Sequence, residues 1–352
     1  PPIIYMNYIG DIMKIKKDAF LLIFSIAVAG LLMIFSYKAK DGALYGFALA
    51  EKVIIPSLLP LLIIFNFILN SGAGRVLEKL LSPITYGVFR LPVCTGAAIF
   101  FGLLGGYPTG ALLTRSLYLN DDIDSKTAAR MMRFNFCGGA GFIVTAVGTG
   151  FLQDRKCGLI LFASCVLSSL IIAMITAFFD KSREKGTVDY ISCSPSDALC
   201  KSVDQSAKSV ISISCYIILF CAVQYCIDFP ETLMPIIEIT SGIAGACKNL
   251  SLPQTAFLLS FGGLCIHLQL FTVISEIKMK YFDFFIWRVA GGGLSYIVCI
   301  ILLRVFPIEQ AVFSNYSDSI VRLTSVNATL SVLMALACAV FVFDLENRKR
   351  KC

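Results

Sequence analysis

The chain reads as an all-α polytopic membrane protein: two structural repeats, each with a re-entrant or broken-helix hairpin, and about 7–9 membrane segments of ~20 residues each. Three observations carry this. The chain has 352 residues, 57% hydrophobic and only 15% charged, with a mean hydropathy of +0.80; soluble domains carry about a quarter charged residues. An apolar helical pattern over residues 97–118 is broken at Gly105-Gly106-Tyr107-Pro108-Thr109-Gly110. A second apolar stretch, 255–277, is broken at Gly262-Gly263 at a matching place in the other half.

The elements follow in order. Residues 19–37 are too long for a signal core and lack a small-residue cleavage site, so residues 1–40 are an N-terminal transmembrane span. A polar turn over 38–52 leads to an apolar run at 53–69 containing Pro56 and Pro60. Residues 75–90 mix charge with Val76, Leu77, Leu80 and Leu81 at helical spacing, which suits a helix lying in the membrane interface. The broken stretch 97–118 follows. Asp124 or Ser125 then caps a short polar helix ending near Arg133. Residues 136–152 are glycine-rich, as helices in close contact within a bilayer are, and 158–179 is a plain span. Residues 41–180 form the first repeat and 181–208 a polar linker. The second repeat, 209–352, begins with a span at 209–227 and a Gly/Pro-containing segment at 232–246. After its broken stretch come spans at 285–305 and 326–343, then the basic tail Arg348-Lys349-Arg350-Lys351.

The self-similarity sets Phe101-Gly102-Leu103-Leu104 over Phe261-Gly262-Gly263-Leu264, which places Tyr107 opposite His267 and Thr109 opposite Gln269. Paired interrupted segments in two halves are the best sequence pointer to a transporter's binding site. Hairpins at both breaks make the repeats inverted; full crossings make them parallel. Loop charge does not choose cleanly between these, and hairpins are preferred because the glycine pairs split their stretches into halves too short to span.

A broken helix at membrane depth leaves backbone amides and a positive helix end facing the interior, which suits an anion or polar ligand. The bland alternative is a packing kink. The candidate substrate-binding residues are Gly105, Gly106, Tyr107, Pro108, Thr109 and Gly110 at the first break, and His267 and Gln269 at the second. Asn135, Arg115, Arg133 and Arg288 join them from adjoining elements. An inward arginine holds a carboxylate bidentately, against the alternative of an interfacial arginine snorkelling to headgroups. His267, the single histidine, would suit proton coupling or else be a hydrogen-bonded packing residue.

Other functions fare worse. One histidine leaves no His-rich metal site or His-Glu-x-x-His protease, and there is no phosphate-binding Gly-x-x-x-x-Gly-Lys loop. Asp121, Asp122 and Asp124 precede a helix, where capping accounts for them. The 14 cysteines contain no Cys-x-x-Cys, and most lie in apolar runs as small buried hydrophobes. The net charge of +7 is spread over short loops, as topology signals are, so nucleic acid is not an expected partner. No catalytic residue, metal or cofactor is expected; the partners are a small-molecule substrate and the lipid bilayer.

Taken together, Pro56-Ser57-Leu58-Leu59-Pro60, Gly105-Gly106-Tyr107-Pro108-Thr109-Gly110-Ala111 and Asn135 before a glycine-rich span resemble the YlbJ-type sporulation integral membrane proteins. Glu238-Ile239-Thr240-Ser241-Gly242 and the run from Ser260-Phe261-Gly262-Gly263 to His267-Leu268-Gln269 do too, in the right order. The resemblance implies a nucleoside-recognition "gate" domain similar to concentrative nucleoside transporters, with paired re-entrant hairpins in an inverted repeat. It implies transport of dipicolinate, a pyridine dicarboxylate, across the outer forespore membrane during endospore formation. Tyr107 to Gly110 and His267 to Gln269 then fall on the hairpin tips. Where the family has a lysine after Gly-Tyr-Pro-x-Gly-Ala, this chain has Leu112, so Arg115 must substitute or the substrate differs. The other expectations are a nucleoside or nucleobase transporter on the same fold, or a non-transporting membrane scaffold of sporulation.

Overall fold

The computed structural model describes residues 18–19, 21–179, 194–227, 230–246 and 249–308. The expected last span at 326–343, the basic tail and residues 181–193 of the polar linker lie outside the described residues. Among those described, five helical stretches are long and apolar enough to cross a bilayer. The chain is an all-helical, polytopic membrane protein.

After α1 (Leu21–Ile34), α2 (Ser36–Leu49) runs through a π-helical turn (Ala50–Ile54) into α3 (Ile55–Asn70). The polar turn expected at 38–52 is therefore helix. Tertiary packing explains the difference. Gly42 and Gly46 let α2 close onto α9 (Pro195–Ile227), where a Cβ on Gly42 would sit 2.5 Å from the Cys221 carbonyl, while Lys38, Lys40 and Asp41 stay exposed. The π turn has a local cause: Pro56 and Pro60 donate no N–H, and the Ser57 hydroxyl bonds the Val53 carbonyl at 2.6 Å. The linker also ends earlier than expected, since α9 is already helical at Pro195.

Helix α4 (Gly74–Ser82) and the π turn Pro83–Val88 expose Val76, Leu80, Ile84 and Val88, spaced by fours, which is the apolar stripe of an interfacial helix. Helices α5 (Thr95–Gly105) and α6 (Tyr107–Leu119) pack on one another, making the first break a hairpin. Each arm, at 1.5 Å per residue, reaches ~20 Å at most and falls short of the ~30 Å bilayer core. Only glycine takes the turn easily, because Gly106 has φ 109°. Asp124 caps α7 (Ser125–Met132) by accepting from Thr127 N at 2.8 Å. The chain then runs non-helically over 133–139 before a π-helical segment (Gly141–Phe151) and α8 (Arg155–Phe179).

The second half holds α10 (Met234–Ile237) and α11 (Ile239–Ala246), bent at Glu238 and packed on each other. Next come α12 (Leu252–Phe261), α13 (Gly263–Val273) and α14 (Tyr281–Val305). The break at Gly262-Gly263 is present, with φ of 90° and 74°. Its two arms do not fold back on one another: α12 packs chiefly on α14 and α8 and α13 chiefly on α6, α10 and α9, while both touch α10 and α11. The hairpin of this half is α10–α11 instead. Along the chain α5–α6, the interruption at 133–139 and α8 follow one another in the first half, and α10–α11, the interruption at Gly262-Gly263 and α14 in the second. In that order Gly139 (φ 68°) stands level with Gly262. The residue match made in the sequence paired Phe101-Gly102 with that site instead.

Candidate functional site

The interruptions converge. A Cβ on Gly139 would lie 2.7 Å from Gly106 Cα, so hairpin tip and unwound segment meet backbone to backbone. A Cβ on Gly262 would lie 2.6 Å from the Phe136 ring, and one on Gly263 3.1 Å from Ile239 N, at the second hairpin. Backbone without helical bonds survives at membrane depth only where protein or a cavity satisfies it. Here side chains from other elements do so. The Tyr107 hydroxyl donates to the Leu259 carbonyl at 2.6 Å, and His267 Nε2 bonds the Phe261 carbonyl at 2.8 Å, so both serve the end of α12. Arg288 Nη1 donates to the Phe136 carbonyl at 3.3 Å and Nη2 to the Arg133 carbonyl, closing the end of α7. Asn135 Nδ2 donates to the Ala98 and Gly110 carbonyls at 3.1 and 3.3 Å, clamping both arms of the first hairpin.

Between these breaks and the α3/α9 pair lies a crevice. Its walls are Ile54 and Leu58, Ile213 of α9, Gly106, Tyr107 and Pro108 of the first tip, and Gly138 and Phe142. Ile239 and Thr240 of the second hairpin and Ile266 of α13 complete them. In this conformation there is room for little more than a water, so any ligand requires the walls to part.

The candidates named from sequence divide by position. Gly106, Tyr107 and Pro108 form the wall. Gly105, Thr109 and Gly110 are buried beside it, and Thr109 Oγ1 and Asn135 Oδ1 are buried without a hydrogen-bond partner. The others do not reach the crevice. His267 is wholly buried, with Nδ1 against the Tyr281 hydroxyl at 3.1 Å and Phe261 and Phe284 packed round its ring. The Phe261 carbonyl can only accept, so Nε2 carries a proton, and with Nδ1 on the Tyr281 hydroxyl both ring nitrogens are engaged. Gln269 donates to the Cys265 sulfur at 3.5 Å. Arg115 pairs with Glu276 at 2.8 Å, which holds that loop carboxylate down at about 2. Arg133 pairs with Asp283 at 2.9 Å. Arg288 is wholly buried behind Phe136, its guanidinium carbon 4.6 Å from the ring centroid, and its Nε is unpartnered.

Sequence reasoning missed Glu238 as a site residue. It is wholly buried, and its carboxylate accepts from Thr240 N at 2.9 Å and Ser241 N at 2.6 Å, next to the wall residues Ile239 and Thr240. The available signal was an acid in an otherwise apolar Gly/Pro segment, which in a membrane protein is a functional-site pointer.

No family model matches this sequence, and no solved structure matches it. A relative does: the chain is 24% identical over 310 residues to the sporulation integral membrane protein YlbJ of Bacillus subtilis (strain 168), a match covering 74% of this chain and 76% of that protein and supporting a YlbJ-type membrane protein.

Proposed function

We infer that the protein is a secondary transporter of a small anionic metabolite, with dipicolinate as its substrate, in the outer forespore membrane of a sporulating bacterium. The observation that carries this reading is the crevice itself, walled at membrane depth by two hairpin tips and two interrupted helices. Its similarity to a sporulation integral membrane protein supplies the cellular setting. Ligand binding parts the walls, and opening to one side or the other of the α3/α9 pair gives alternating access. Uptake of labelled dipicolinate into proteoliposomes tests it. Leu58→Trp, which fills the crevice, is expected to reduce uptake to that of empty liposomes while keeping a cooperative melting curve. Undiminished uptake by that variant overturns the site; no uptake by the wild type overturns the function.

One observation favours a second reading on the same fold. The crevice wall holds no lysine or arginine, and offers an aromatic ring at Tyr107 and a hydroxyl at Thr240. That lining suits a neutral planar ligand such as a nucleobase or nucleoside. Competition of dipicolinate uptake by uridine and adenosine separates the two.

A further inference from the structure

We propose that Glu238 is the proton-carrying group of the transport cycle, so that each anion crosses together with a proton. This rests on the transporter reading above. Glu238 lies at the bend between α10 and α11, wholly buried, and its two oxygens each accept one backbone N–H. Among the described residues no lysine, arginine or histidine pairs with it. A fully buried carboxylate without a counter-ion is costly, and in membrane proteins such residues mark ion and proton pathways. Its bonds to Thr240 N and Ser241 N cap the start of α11, a task that Ser, Thr, Asp and Asn perform more often than glutamate.

The surroundings bear on the crevice. Ile239 and Thr240, directly after Glu238, are wall residues. Gln224, 2% exposed on α9, accepts from the Ser241 hydroxyl at 3.1 Å and has an Nε2 with no acceptor. A buried polar donor is thus left over beside the acid. The titratable groups facing Glu238 are Cys221 of α9 and Tyr107 of α6, both within its electrostatic reach. Helices α10 and α12 and the π-helical segment carry no acid or base. On α13, Cys265 is buried and His267 has both nitrogens engaged. The buried residues of α2 are Gly42, Gly46 and Leu49. Among the described residues Glu238 therefore has no neighbouring base, and its link to the crevice is Thr240, a wall residue from whose N–H it accepts.

The step is a simple transfer. On the loading side a hydronium ion gives its proton to the Glu238 carboxylate, forming one O–H bond and leaving water. The neutral acid no longer repels an anion in the crevice. On the far side the O–H bond breaks and the proton returns to water as the anion leaves.

The test uses the purified protein in proteoliposomes with a pH-sensitive dye trapped inside, dipicolinate as the probe and uridine as a second. The wild type should acidify the lumen when the probe is added and accumulate it down an imposed proton gradient. Glu238→Gln should lose both responses yet still exchange labelled for unlabelled probe, a measurement that requires a folded carrier. Glu238→Asp keeps an acid and should keep the proton flux. Wild-type proton flux in Glu238→Gln, or probe uptake without proton flux in the wild type, overturns the proposal. A wild type that moves no probe at all overturns the transporter reading and the proposal with it.

Discussion

At the residue scale, glycine positions reveal how tightly the site is built. A Cβ on Gly110 would lie 2.2 Å from the Asn135 backbone oxygen, and one on Gly102 would lie 2.1 Å from Asn135 Oδ1. The first is the harsher clash, since backbone cannot swing aside as a side chain can. Gly110→Ala is expected to destabilise the protein by ~1–3 kcal/mol through overpacking, and more than Gly102→Ala, in thermal melts in detergent. Histidine gives a second prediction. His267→Gln leaves two buried partners imperfectly met and should lower stability by ~1–3 kcal/mol. The pH profile of uptake between about 5 and 8 should not move, because the imidazole has both nitrogens engaged by Phe261 and Tyr281 and does not line the crevice. Gly106 and Gly262-Gly263 were legible in the sequence as breaks because each glycine pair interrupts an apolar helical run, and Pro108 after Gly106 suits the start of a new helix. The arginines were not: Arg115 and Arg133 find their carboxylates, Glu276 and Asp283, in the other half of the chain, and no local spacing announces such partners.

Elements show why one interruption was visible and another was not. The stretch 133–139 sits between apolar residues and carries Gly138-Gly139, which in a bilayer also read as a close-packing helix surface. Only the left-handed turn at Gly139, pressed against Gly106, decides for a break, and that depends on the hairpin's position. The short α10–α11 hairpin was likewise hidden, since four residues of helix leave no periodicity to detect. One contact between elements is open to direct measurement. Arg115 of α6 and Glu276 in the loop after α13 are a half-exposed pair, with side chains 35% and 38% accessible. Such pairs contribute about 0–1 kcal/mol and weaken in salt. Glu276 has its folded pKa depressed, from 4.5 to about 2, so its stabilisation is present above 4.5 and lost as pH falls through the folded value. The difference in melting temperature between wild type and Glu276→Gln should therefore be largest near neutral pH and shrink from about 4.5 downward. A difference that grows on acidification would contradict the pairing.

Across the whole molecule, the membrane class was legible from composition, and the breaks at Gly106 and Gly262-Gly263 from the glycine pairs that interrupt apolar runs. The route of the chain was not, because long-range packing turned the 38–52 segment into helix and separated α12 from α13. The halves are also tied chemically: the Leu259 carbonyl of the second half depends on the Tyr107 hydroxyl of the first. That dependence has a bearing on biogenesis. Emerging from the ribosome, the first half already holds the donor in its hairpin, whereas α12 enters the lipid with a carbonyl that hydrocarbon cannot satisfy. Insertion therefore has a preferred order, in which the earlier half acts as a template for the later one. A second half expressed alone is expected to be degraded or retained by chaperones, and to be rescued when the first half is supplied as a separate chain split between α8 and α9. Pulse-chase stability of the two fragments, apart and together, reads this out, and Tyr107→Phe in the donor fragment should weaken the rescue.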